Sequence, residues 1–124
     1  MARILVIDDD DQIRQMLRQM FERLGYEVMD AKDGKEGIGL HCERNADVII
    51  TDIFMSEKEG IETIKELKQQ FPNVNIIAMS GGSMSGSIGR DAYLKAAKSL
   101  GAAKTFTKPI DRRELIDAVQ NLLK

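Results

Sequence analysis

Four short apolar runs each stop on a charged or hydroxyl residue: Ile4-Leu5-Val6-Ile7 on Asp8-Asp9, Val48-Ile49-Ile50-Thr51 on Asp52, Ile76-Ile77-Ala78-Met79 on Ser80, and Thr105-Phe106-Thr107 on Lys108. Runs of this length, rich in β-branched residues, read as buried strands of a parallel sheet. Between them the spacing turns helical. Ile13, Met16, Leu17, Met20, Phe21 and Leu24 form one apolar stripe, stopped by Gly25. Tyr26 to Ala31 alternates as a further strand and ends at the Asp33-Gly34 turn, and a short helix is expected over Lys35 to Glu43, weakened by Gly37 and Gly39. Ile61, Ile64, Leu67 and Phe71 mark a helix closed by Pro72, followed by a strand from Asn75 to Met79. Ser80 to Gly89 is dominated by Gly and Ser and is read as a mobile loop before a helix bearing Tyr93, Leu94, Ala97 and Leu100. After a strand over Lys104 to Thr107, Asp111 and Glu114 form a capping box for a last helix that buries Leu115, Ala118, Val119, Leu122 and Leu123.

Strand and helix alternate five times with short connections, which predicts an α/β fold, a doubly wound parallel sheet with helices on both faces. Residues 1–124 then form a single domain, with no linker or repeat. In such a sheet ligands bind at the carboxyl edge of the strands. That edge would gather Asp8, Asp9, Asp52, Ser80 and Lys108 from distant parts of the chain.

Composition narrows the function. The chain is 43% hydrophobic and 31% charged with a net charge of −2 and no basic arm, so neither a membrane span nor direct nucleic-acid binding is expected. Cys42 is the one cysteine, and Met1-Ala2-Arg3-Ile4 runs straight into a strand, so a reducing, cytoplasmic setting is expected.

Four aspartates run from Asp8 to Asp11, more than one helix cap requires, so Asp10 and Asp11 can serve the helix while Asp8 and Asp9 face the edge. With Asp52 they make a set suited to Mg²⁺, which takes few carboxylates and keeps waters and phosphate oxygens. An ionised carboxylate can itself attack phosphorus and form an acyl phosphate. Lys108, held before Pro109, can pair with Asp52 at rest and with a phosphoryl oxygen afterwards, and Ser80 can donate one hydrogen bond to that oxygen. Phosphoryl transfer asks for positioning and charge neutralisation more than for a base, so His41 is expected on the surface of the second helix rather than in the site.

From Arg3 to Leu123 the chain resembles the receiver domains of two-component response regulators. The matching segments are Ile4-Leu5-Val6-Ile7-Asp8-Asp9-Asp10, Asp47-Val48-Ile49-Ile50-Thr51-Asp52-Ile53-Phe54-Met55, Met79-Ser80 and Thr107-Lys108-Pro109-Ile110. The resemblance implies a flavodoxin-like five-stranded sheet of order 2-1-3-4-5 with five helices. It implies that Asp52 accepts a phosphoryl group from a histidine kinase or histidine phosphotransfer protein. Asp9, Asp52 and the carbonyl of Phe54 would hold Mg²⁺, with Asp8 acting through bound water. Ser80 and Lys108 would contact the phosphoryl group, and the Lys108-Pro109 bond would be cis. The output would be a contact with a downstream protein target or onward transfer, by a monomer or weak dimer. Three positions depart from the family pattern: Ser56 stands where proline is common, Thr105 replaces the usual switch aromatic, and the loop from Ser80 is long. Switching is therefore expected to concentrate in residues 81–90. Two other readings are a phosphatase with Asp8 as nucleophile, which would want an Asp-x-Asp spacing, and a flavodoxin-type cofactor binder, which would want a hydroxyl- and glycine-rich loop after the first strand.

Overall fold

The computed structural model describes residues 2–53, 60–80 and 94–124. Phe54, Ser56 and the glycine-rich loop expected after Ser80 lie outside them, as does the expected switching segment. The strands are β1 (Arg3–Ile7), β2 (Glu27–Ala31), β3 (Val48–Asp52), β4 (Asn75–Ser80) and β5 (Lys104–Thr107). The helices are α1 (Asp11–Arg23), α2 (Gly34–Glu43), α3 (Gly60–Gln70), α4 (94–99 in its described part) and α5 (Arg112–Leu122). All neighbouring strands run parallel in the order β2-β1-β3-β4-β5. The expected doubly wound five-stranded sheet is the one observed.

Strand alternation splits the core in two. Leu5, Ile7, Ile49, Ile76 and Ala78 face α2, α3 and α4, where they meet Ile38, Ile64, Leu67 and Ala97. Ile4, Val6, Val48, Ile50, Ile77 and Met79 face α1 and α5, where they meet Leu17, Phe21, Leu115 and Val119. Both layers contain fully buried aliphatic side chains from every one of β1, β3 and β4. This burial fixes the register, because a one-residue slip would turn each strand's alternate residues to the wrong layer.

The caps follow the sequence closely. Asp10 caps α1, its carboxylate accepting from the Gln12 and Ile13 N–H groups, and Asp111 caps α5 through the Glu114 N–H. Gly25 ends the first unit at φ +93°, a conformation that favours glycine.

Helix α2 departs from the sequence reading in an instructive way. It begins at Gly34, and its glycines are packing requirements as well as weak helix formers. A Cβ at Gly37 would lie 2.4 Å from Ile7 Cδ1, and one at Gly34 would lie 1.9 Å from Thr63 Oγ1. That close approach draws the helix onto the sheet and corrects the expectation for His41. The ring is buried, not on the surface, at 2% exposure. Its Nδ1 accepts the Ala46 N–H at 2.9 Å, and Phe71 stacks edge-on at 4.5 Å. Burial holds the imidazole pKa below its ordinary value. Among the described residues no helix is long and apolar enough to cross a membrane.

Candidate functional site

Parallel pairing brings four strand ends level. Ile7 lies opposite Thr51, Asp52 opposite Met79, and Ser80 opposite Thr107, so the residues that end β1, β3, β4 and β5 emerge side by side. Backbone bonds lock these ends. Asp8 N–H donates to the Ala31 carbonyl at 3.1 Å, Ile53 N–H to Met79 at 2.9 Å, and Lys108 N–H to Ser80 at 2.8 Å. The Lys108-Pro109 peptide is cis, as the resemblance implies.

The carboxylate oxygens of Asp8, Asp9 and Asp52 come within 4.8 Å of one another. Asp8 and Asp52 are buried while Asp9 is exposed, so the cluster is reached from one side. Lys108 sends its ammonium between the two buried carboxylates, 2.8 Å from Asp8 Oδ2 and 3.2 Å from Asp52 Oδ2. The sequence reading paired Lys108 with Asp52, and the structure adds the shorter contact to Asp8. Asp8 Oδ1 also accepts the Asp10 N–H at 2.9 Å.

Electrostatics leave the site short of positive charge. Burial raises the Asp8 pKa above the ordinary carboxylate value, overcoming the bond from Lys108 and that from the Asp10 N–H. Burial alone would lower the Lys108 pKa, but the bond to Asp8 and the charge of Asp52 carry it above its ordinary value. Lys108 thus stays an ammonium. One cation among three carboxylates leaves an excess of about two negative charges, which suits one divalent ion.

Ser80 supplies the next observation. Its Oγ is fully buried and has no hydrogen-bond partner among the described residues, although buried hydroxyls ordinarily find one. A hydroxyl in this state beside Asp52's strand is able to donate one hydrogen bond. Thr105 lies in β5 opposite Ala78 and is half-buried. It takes no part in the cluster's polar contacts.

Two contributors escaped the sequence reading. Gly60 opens α3 against the end of β3. A Cβ there would lie 2.2 Å from both the Asp52 carbonyl oxygen and Ile53 Cα. Arg14 reaches back from α1 and donates from Nη1 to the Asp8 carbonyl at 2.7 Å. The i, i+3 spacing of Asp11 and Arg14 announces their ion pair. Nothing in that spacing announces the bond to the strand end.

A doubly wound sheet whose carboxyl edge gathers a metal-competent acidic triad and a lysine is the architecture of a phosphoacceptor module. The chain belongs to the response regulator receiver domain family, whose sequence pattern matches residues 4–120. It is 32% identical to the chemotaxis protein CheY of Thermotoga maritima, over 98% of each chain. It is 30% identical to sporulation initiation phosphotransferase F of Bacillus subtilis, covering 98% of this chain and 93% of that one. Among solved structures, a response regulator receiver domain protein from Clostridium thermocellum superposes with a TM-score of 0.85 at 31% identity, over 98% of this chain and 94% of that one. Membership makes the protein a phosphoacceptor of two-component signalling, served by a cognate kinase, and not an enzyme of the turnover kind.

Proposed function

We propose that the domain spanning residues 1–124 is a phosphorylation-controlled switch that takes a phosphoryl group onto Asp52 from a histidine kinase or a histidine phosphotransfer protein in the cytoplasm. The observation that carries this reading is Asp52 itself, a buried carboxylate at a strand end, 3.2 Å from a lysine ammonium and in reach of two further carboxylates.

The chain's own residues account for the chemistry. An Asp52 carboxylate oxygen attacks phosphorus, the new O–P bond forms as the donor's P–N bond breaks, and the donor imidazole leaves with the electron pair. Lys108 already stands at the carboxylate and exchanges part of its pairing with Asp8 and Asp52 for a phosphoryl oxygen. Ser80 Oγ, without a partner among the described residues, donates to another. Asp8, Asp9 and Asp52, together with the carbonyl of Phe54, would hold Mg²⁺, and the orphaned charge of the triad fits that ion. Bound there, Mg²⁺ supplies the positive charge that offsets the equatorial oxygens of the transferring group. The three phosphoryl contacts would alter the surface that follows Ser80, Thr105 supplying no aromatic lever, and so change the fit to a downstream protein. Asp8 is a poor candidate for a phosphatase nucleophile. It is fully buried, and its carboxylate is occupied by Lys108 and the Asp10 N–H.

Intact-mass measurement after incubation with acetyl phosphate and Mg²⁺ tests the reading. Wild type should gain one phosphoryl group labile to acid, to base and to hydroxylamine, and Asp52→Asn none, because an amide cannot form the acyl phosphate. A full-stoichiometry adduct on Asp52→Asn, mapped to another residue, would refute it.

A further inference from the structure

Asp8 and Asp9 occupy the turn between β1 and α1, and every polar atom of Asp8 is engaged. Its N–H goes to Ala31, Oδ1 takes the Asp10 N–H, Oδ2 takes Lys108, and its carbonyl oxygen takes Arg14 Nη1 at 2.7 Å. Asp9 is the opposite case. It is exposed, and its carboxylate accepts no hydrogen bond among the described residues. The aim of the Asp9 side chain is therefore set by its backbone, and the peptide that leads into Asp9 begins at the carbonyl Arg14 holds.

Arg14 is built to hold it. The residue lies one turn into α1, with only 17% of its side chain exposed. Its Nη2 binds the Asp11 carboxylate and its Nε lies 3.8 Å from Asp30 Oδ1. Asp30 is steadied in turn by Arg18, whose Nη1 donates to Oδ2 at 2.7 Å. Two carboxylates outside the triad thus balance the guanidinium and fix its plane. Its positive charge is matched there, and what it sends to the triad is one directed N–H.

We propose that Arg14 is a positioning residue that fixes the Asp8–Asp9 peptide and thereby aims the Asp9 carboxylate at the cation site. The inference rests on the receiver reading and extends it to a residue outside the triad. Metal sites depend on such supporting bonds, whose loss typically weakens metal binding about 10–100-fold. A residue that only braced the helix would alter melting temperature and leave the folded protein's affinity for Mg²⁺ alone.

The test is calorimetric titration of Mg²⁺ into wild type, Arg14→Ala, Arg14→Lys and Asp30→Asn, at a temperature where circular dichroism shows each fully folded. Arg14→Ala should bind Mg²⁺ about tenfold more weakly. Arg14→Lys should recover part of the loss, since an ammonium can make one bond to the carbonyl. Asp30→Asn cuts the outer ion pair and leaves the carbonyl bond, so it should melt earlier and weaken Mg²⁺ binding less than Arg14→Ala does. Wild-type affinity in Arg14→Ala would overturn the proposal, as would tighter binding, which would make Arg14 a competing charge. Equal weakening in Arg14→Ala and Asp30→Asn would also overturn it. Should Arg14→Ala not fold, unchanged affinity in Arg14→Lys with its shorter reach and single donor group decides against it. If wild type neither binds Mg²⁺ nor gains an adduct on Asp52, the receiver reading fails and takes this inference with it.

Discussion

Replacing Lys108 by methionine keeps the apolar stem and removes the ammonium, leaving Asp8 fully buried with only the Asp10 N–H to satisfy its charge. Removing one partner of a buried pair costs about 3–5 kcal/mol when the remaining charge must stay. Asp8 has a way out, because burial already raises its pKa and a proton can replace the lost cation. Lys108 is also freed from its own burial, so the net loss at neutral pH should be about 2–4 kcal/mol. Unfolding entropy of about 2.1 cal/mol/K per residue makes 1 kcal/mol worth about 4 °C for a chain of this length, so melting should fall by about 8–15 °C. The sign with pH follows from the direction of the shift. A carboxyl whose folded pKa is raised contributes stability below its unfolded pKa, and that contribution is lost as pH rises through the folded pKa. Lys108→Met raises the Asp8 pKa further, so the gap from wild type should open as pH climbs above the ordinary aspartate value and close towards acid. Urea unfolding in EDTA, which keeps divalent cations from substituting for the lysine, reads this directly. Asp8→Asn in the Lys108→Met background should recover most of the loss at pH 8. A gap independent of pH, or no recovery in the double variant, would refute the argument that an unpaired Asp8 charge is the cause.

Saturating Mg²⁺ at about a hundred times its dissociation constant should stabilise wild type by about 2.7 kcal/mol through linkage, and Asp9→Ala should lose that response; superimposable wild-type melts with Mg²⁺ and EDTA would contradict the cation site. Gly60→Ala places a Cβ 2.2 Å from backbone atoms of Asp52 and Ile53, so it should cost about 1–3 kcal/mol and slow phosphorylation by acetyl phosphate; unchanged denaturation and mass kinetics would refute that contact. His41 has a folded pKa below its ordinary 6.5, and a group with a depressed pKa gives stability that is lost as pH falls from the unfolded towards the folded value. Urea stability should accordingly drop below about pH 6.5, with the imidazole titrating at a lower midpoint by NMR; a midpoint at or above 6.5 would refute it.

Much of this was legible before the structure because the signals were periodic. The aliphatic runs ending at Asp8, Asp52 and Ser80 gave strand, direction and edge at once, and Asp111 with Glu114 marked a helix start to within one residue. The illegible parts depend on contacts between elements. Gly37 looks like a weakness in α2 until Ile7 is seen beneath it, and His41 looks like a surface residue until that packing draws its ring inward. Lys108 was visible as a cation at the edge, but whether it favoured Asp8 or Asp52 depended on fractions of an ångström in how β5 is placed. Arg14 could be paired with Asp11 by counting along the helix, whereas its bond to the Asp8 carbonyl required the angle at which α1 leaves the sheet.

The Lys108–Asp8 contact spans 100 positions of the chain, joining the end of the first strand to the end of the last. During synthesis on the ribosome the acidic cluster is therefore complete in its negative charges long before its lysine leaves the exit tunnel. A nascent chain that has made only β1 to β3 must keep Asp8 and Asp52 apart, hydrated or protonated, because their burial has no resident cation to offset it. A chain cut short before Lys108 leaves the carboxylates of the edge without their resident ammonium.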